Sequence, residues 1–93
     1  MGMQIEKHNA ETAALSALSH GKRAVGAKQI RKALNTGAAQ RVYLAENADP
    51  ALTEPLVALC QRNSVDFIWV RSMTDLGRAC GIEVGAAAAA VVA

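Results

Sequence analysis

The sequence predicts an α/β domain, with helices packed on both faces of a central sheet. Three observations predict it. Segments of helical periodicity alternate with short runs of β-branched and aliphatic residues. The changes between them fall at glycine, proline, asparagine or aspartate, the residues that start and stop regular structure. Hydrophobic residues make up 52% of the 93-residue chain and aromatics only 3%, so the core is built from Ala, Val, Leu and Ile.

Each element has its own reason. Asn9 is placed to cap a first helix through Leu15 and Leu18, with Gly21 ending it in the left-handed conformation that glycine tolerates. Arg23-Ala24-Val25 reads as a short strand leading to Gly26. A second helix carries Ala27, Ile30, Ala33 and Leu34 at helical spacing and closes at Gly37. Arg41 to Ala45 is a strand of the buried type, and Asn47-Ala48-Asp49-Pro50 is a turn. A third helix is expected from about Thr53 to Arg62, burying Leu56, Leu59 and Cys60, with Pro55 tolerated in its first turn. Asp66 to Val70 is the next strand. Ser72-Met73-Thr74-Asp75 resembles a capping box, opening a helix that buries Met73, Leu76 and Cys80 and stops at Gly81. Ile82 to Gly85 reads as a loop or short strand. Ala86 to Ala90, followed by Val91 and Val92, reads as a buried strand despite alanine's helical preference.

Composition excludes several classes. Seven glycines, two prolines and two cysteines rule out collagen-like, mucin-like and disulfide-rich chains. No apolar run reaches the roughly 18 residues that span a bilayer. Met1 to His20 lacks a basic start followed by an apolar stretch. A soluble cytoplasmic monomer is expected, with one domain over residues 1–93. Cys60 and Cys80 sit far apart on apolar helical faces, as buried thiols of a reducing compartment would. His8 and His20 pair with no cysteine or carboxylate at metal-ligand spacing, and no phosphate-binding glycine signature occurs. No metal, no cofactor and no catalytic centre are therefore expected, and the chain reads as a protein that is not an enzyme.

The net charge of +2 is unevenly spread. Residues 1–21 carry −1. Residues 22–41 hold Lys22, Arg23, Lys28, Arg31, Lys32 and Arg41 with no acid, and residues 42–93 carry −3. A localised basic stretch can hold a polyanion on a nearly neutral protein. With Ile30 as the core direction of the second helix, Ala27 and Leu34 fall within about 60° of it, and Lys28 and Lys32 within about 20° of the opposite pole. Like charges one turn apart cost about 0.2–0.5 kcal/mol. A cation in the first turn opposes the helix dipole by roughly 0.3–1 kcal/mol. Folding would avoid both placements, which favours an anionic partner over a merely solvated face. Val25-Gly26-Ala27 brings small residues to a helix N-terminus whose open amides can take a phosphate. Beyond it, lysine can donate to guanine O6 and N7, and Gln29 can donate and accept at a base edge. The other reading is a glycine that turns the chain and lysines that solubilise it.

These residues resemble the L7Ae/L30e family of ribosomal and kink-turn RNA-binding proteins, most closely its small bacterial YbxF-type members. The resemblance covers about residues 22–93. It is carried by Gly26-Ala27-Lys28-Gln29 with Lys32, by Val42 to Pro50, and by Ser72-Met73 with Leu76 to Val84. It implies a three-layer α/β/α sandwich around a mixed four-stranded sheet. It also implies that the second helix enters the opened groove beside tandem sheared G·A pairs. Gly26 and Lys32 match the family stretch directly. Lys28 and Gln29 stand where archaeal and eukaryotic members have Asn and Glu, and the bacterial type shows this Lys-Gln pair. The loop Ile82-Glu83-Val84-Gly85 matches one that packs on extruded or stacked bases, with Gly85 in place of a common proline. That substitution implies a less preorganised loop. For Ile82 and Val84 the alternative is core packing. Asp49 matches a position that contacts a flipped nucleotide, and its alternative is a turn-stabilising Asp before Pro50. The expected RNA-binding residues are thus Gly26, Ala27, Lys28, Gln29, Lys32, Asp49, Ile82, Glu83 and Val84. Their expected partner is structured RNA, a kink-turn or ribosomal RNA, in a ribonucleoprotein of translation. A protein-interaction subunit with the same fold is the alternative.

Overall fold

The computed structural model describes residues 17–93. A helical turn at residues 17–20 (α1) comes first. It is followed by β1 (Arg23–Val25), α2 (Ala27–Thr36), β2 (Ala39–Ala45), α3 (Pro50–Arg62), β3 (Asp66–Val70), α4 (Met73–Ala79) and β4 (Ala88–Val92). The sheet has the order β1-β4-β2-β3. β4 is antiparallel to both its neighbours and β2 is parallel to β3, so the four-stranded sheet is mixed.

Period-two alternation divides the core into two halves. Val42 and Leu44 of β2, with Ala88 and Ala90 of β4, pack against Ile30 and Leu34 of α2 and Leu56 and Cys60 of α3. Tyr43 and Ala45, with Ala89, face the other way and meet Leu18, Leu76 and Cys80. The result is the expected sandwich. The alanine run forms a strand, but from Ala88 rather than Ala86: Ala88, Ala89 and Ala90 are buried and paired on both edges, so burial and pairing override helical propensity, while residues 86 and 87 still belong to the loop.

Four further expectations are corrected. Gly21 follows α1 and donates its N–H to Ala17 O, but it is not among the left-handed glycines, which are Gly26, Gly37 and Gly81. β2 begins at Ala39 rather than Arg41. α3 starts at Pro50, because Asp49 accepts from the Ala51 N–H at 2.9 Å and caps the helix there; Pro55 consequently lies inside it. Leu59 and Met73 are only half-buried. The expected Asn9 cap and Leu15, like His8, lie outside the described residues.

Candidate nucleic-acid interface

Pairing register brings the candidate residues to one rim of the sheet. Val25, the last residue of β1, and Tyr43, two residues from the end of β2, both pair with Ala89 near the start of β4. Ala45 pairs with Val70, so β2 and β3 end together. The connections after β1, β2 and β3 and the loop into β4 therefore share one edge. Ligands of open α/β sheets commonly bind outside the carboxyl ends of the strands.

α2 opens at this rim. Gly26 takes φ 95 and ψ 152, a conformation largely reserved for residues without a Cβ. Its N–H donates to Ala88 O at 3.2 Å, continuing the sheet, so that amide is spent rather than left for a phosphate. The first helical bond runs from Ile30 N to Gly26 O, which leaves the Ala27, Lys28 and Gln29 amides as the open donors of the first turn. Ile30, Ala33 and Leu34 are buried, whereas Lys28, Gln29, Arg31 and Lys32 are exposed. Among the described residues, no hydrogen bond or ion pair engages the side chains of Lys28 or Lys32. Gly37, at φ 76, closes the helix as expected.

The second part of the rim is the loop 82–87. Ile82 is 36% exposed and Val84 70%, so neither contributes to the core, and Glu83 is exposed between them. The loop lies along α4: Ile82 N donates to Gly77 O at 3.1 Å and Ala86 N to Met73 O at 3.0 Å. Glycine at position 85 has a steric reason, since a Cβ there would stand 3.0 Å from the Met73 Cβ. Two backbone bonds to α4 thus hold the loop without a proline.

The connection after β2 completes the rim. Asp49 is exposed and uses one carboxylate oxygen as the α3 cap. Asn47 Oδ1 accepts from Met73 N at 2.8 Å and ties this turn to the start of α4, a contact that its placement as a turn residue did not reveal. Ser72 Oγ accepts from Asp75 N at 3.1 Å, the cap that its spacing predicts. Thr74 and Arg78, exposed on α4, were not singled out from sequence; only their i, i+4 spacing could have linked them. Both cysteines are free and buried. Among the described residues, no group of three or more His, Cys, Asp or Glu could hold a metal. No helix among them is long and apolar enough to cross a membrane.

Fold and rim together define a small α/β/α sandwich with a cationic helix and an apolar loop at one edge. The chain belongs to the ribosomal protein L7Ae/L30e/S12e/Gadd45 family, whose model matches residues 8–93. The match starts earlier than the motifs alone, which reach back to about residue 22. An RNA-binding protein of Bacillus pumilus is 48% identical over 68 residues, covering 73% of this chain and 83% of that protein. The RNA-binding protein YbxF of Geobacillus stearothermophilus is 43% identical over 75 residues, covering 81% and 92%. The solved structure of a Giardia lamblia 15.5kD RNA binding protein superposes with a TM-score of 0.82 at 29% identity, over 86% of this chain and 71% of that one.

Proposed function

We propose that the chain is a non-enzymatic RNA-binding protein that recognises kink-turn RNA and serves ribosomal or other structured RNA. The observation that carries this reading is the exposed, intramolecularly unengaged Lys28 and Lys32 at the same rim as the exposed Ile82 and Val84. The names of its relatives support RNA as the polyanion. In this reading Lys28, Gln29 and Lys32 meet guanine edges in the groove opened at the sheared pairs. The Ala27 amide takes a phosphate, with Gly26 setting the approach of the backbone. Ile82 and Val84 cover an unstacked base, removing ring surface from water, and Glu83 offers an acceptor beside it. Asp49 keeps its second carboxylate oxygen for a flipped nucleotide.

The test is a gel shift with a kink-turn duplex and a straight duplex of matched composition. Tighter binding of the kink-turn is expected, with steep salt dependence from released counterions. Equal affinity for the two duplexes overturns the reading. A second reading, a protein-interaction subunit, is favoured by Trp69 and Leu52, apolar side chains that are 43% and 49% exposed. A protein complex that survives nuclease would favour it.

A further inference from the structure

β3 is an outer strand of the sheet, and among the described residues no strand lies beyond it. Val70 O accepts from Glu46 N at 2.8 Å, on the side of β2. Backbone groups alternate sides along a strand, so Phe67 and Trp69 turn their N–H and C=O groups outward. Among the described residues, no bond outside the sheet ladder reaches either of them. Such a row is a template for another strand, and proteins blunt it with short strands, lysine or proline. β1, the opposite edge, is blunted: it has three residues, and Lys22 and Arg23 are exposed at its start. β3 has five residues with neither lysine nor proline, and its Trp69, the single tryptophan of the chain, is 43% exposed. Phe67 pairs with Val42 and Trp69 with Leu44, so both aromatic rings stand on the α3 side of the sheet.

We propose that this edge is an interface between two copies of the chain, β3 pairing antiparallel with β3 about a two-fold axis at Ile68. In that register Phe67 of each copy lies opposite Trp69 of the other. Each of these pairs can exchange both of its outward N–H···O bonds, and the two rings meet on one face. Ile68 faces Ile68 in the closely spaced, non-hydrogen-bonded position at the axis. Charge selects this direction: Asp66 opens the strand and Arg71 follows it, so antiparallel copies bring opposite charges together, whereas parallel copies would align like ones. The surface is thus complementary to itself, as a two-fold contact requires. One strand pair buries less than a permanent dimer does, so the association is weak and reversible. The expected monomer then holds only at low concentration. Because α2 opens at the carboxyl ends of the strands, antiparallel pairing points the two cationic rims in opposite directions and leaves both open.

The experiment is sedimentation velocity on the full chain from about 1 μM to about 1 mM, the range of weak complexes. The mass is expected to rise from one chain toward two, with Trp69 emission moving to the blue over the same range. Trp69→Lys is expected to stay at one chain throughout, with unchanged circular dichroism. Cysteine variants test the register. Ile68→Cys places two thiols across the axis with α-carbons about 4.5 Å apart and is expected to form a crosslinked dimer under mild oxidation. Trp69→Cys places them more than about 7 Å apart, on a diagonal, and is expected to stay uncrosslinked. Wild type is the control, since Cys60 and Cys80 are buried. A one-chain mass at every concentration overturns the inference. So does a dimer that Trp69→Lys leaves intact, or equal crosslinking of the two cysteine variants. None of these readouts involves RNA, so the interface can fail without the proposed function failing.

Discussion

The α-carbon of Gly77 lies directly beneath the carbonyl oxygen of Val84, so close that a Cβ on residue 77 would overlap that oxygen. Gly77 is buried in α4, whereas Val84 is the most exposed large hydrophobic residue at the rim. One absent side chain therefore sets how closely the candidate base-covering loop lies on the helix behind it. Gly77→Ala is expected to destabilise the fold by about 1–3 kcal/mol, the usual cost of overpacking. In a domain of this size each kcal/mol lowers Tm by roughly 4–8 °C. Amide exchange at Ile82 and Ala86 should accelerate more than exchange at Leu44. An unchanged melting temperature would show that the loop yields freely.

Lys32 lies across α2 from the buried Ile30 and contributes to no packing that its removal could disturb. Lys32→Ala should therefore leave thermal stability within about 0.5 kcal/mol, as is usual for surface positions. It should weaken binding of a kink-turn duplex by about 1–3 kcal/mol. Arg31, on the flank of the same helix, is expected to act through phosphates. Arg31→Ala should then weaken kink-turn and straight duplexes alike and lower the salt slope by about one. Anisotropy titrations of both duplexes at several salt concentrations separate the two effects. Equal losses on both duplexes for Lys32→Ala would remove it from base recognition.

The layers and the α2 surface were legible because period tells a buried position from an exposed one without any knowledge of the partner element. Ile30 and Lys32 separate on a helical wheel, and both take the places that the wheel assigns. The alanine strand was legible only from its flanking glycine and valines, since its burial depends on neighbours distant in sequence. What sequence could not supply was cross-chain geometry: Gly26 spending its amide on Ala88, Asn47 accepting from Met73, and Gly77 meeting Val84. Ile82 and Val84 show the same limit. As apolar residues they suit a core equally well, and only the path of the loop along α4 leaves them exposed.

Pro55 shows how a local rule misplaces a helix start. A proline is comfortable in the first turn, which favours a beginning near Thr53, but Asp49 and Pro50 already provide a cap and a first residue. Pro55 therefore sits where a donor to Ala51 O would otherwise be, on an exposed position of α3. Pro55→Ala restores that donor and removes the ring's clash, worth up to about 3 kcal/mol in a helix interior. Greater freedom of the unfolded chain takes back about 0.4–1 kcal/mol. A net rise in Tm is expected on thermal denaturation followed by circular dichroism. A fall would mean that the ring contributes packing greater than the hydrogen bond it prevents.

The cysteines give a prediction whose sign follows from burial. Cys60 belongs to the core half beneath α2 and α3, and Cys80 to the half beneath α4, so the sheet stands between them and a disulfide is excluded in the native fold. Burial raises the pKa of both thiols; for Cys80 the nearby Arg23 opposes the rise without cancelling it. An acid whose folded pKa is raised holds its proton in the native state at a pH where the unfolded chain has lost it. The native state then binds more protons than the unfolded one, and stability falls as pH rises. The window opens near pH 8.5, where unfolded thiols ionise, and below it the thiols contribute no pH dependence. Chemical denaturation between pH 7 and pH 10 should show stability declining above about 8.5. The decline should be shallower in Cys60→Ala, whose starting stability is also lower. A thiol reagent should react with the native protein only as fast as the core opens, and at the free-thiol rate once denaturant is added. Rapid modification of the native protein at pH 7 would show that at least one of the two thiols is reachable from solvent.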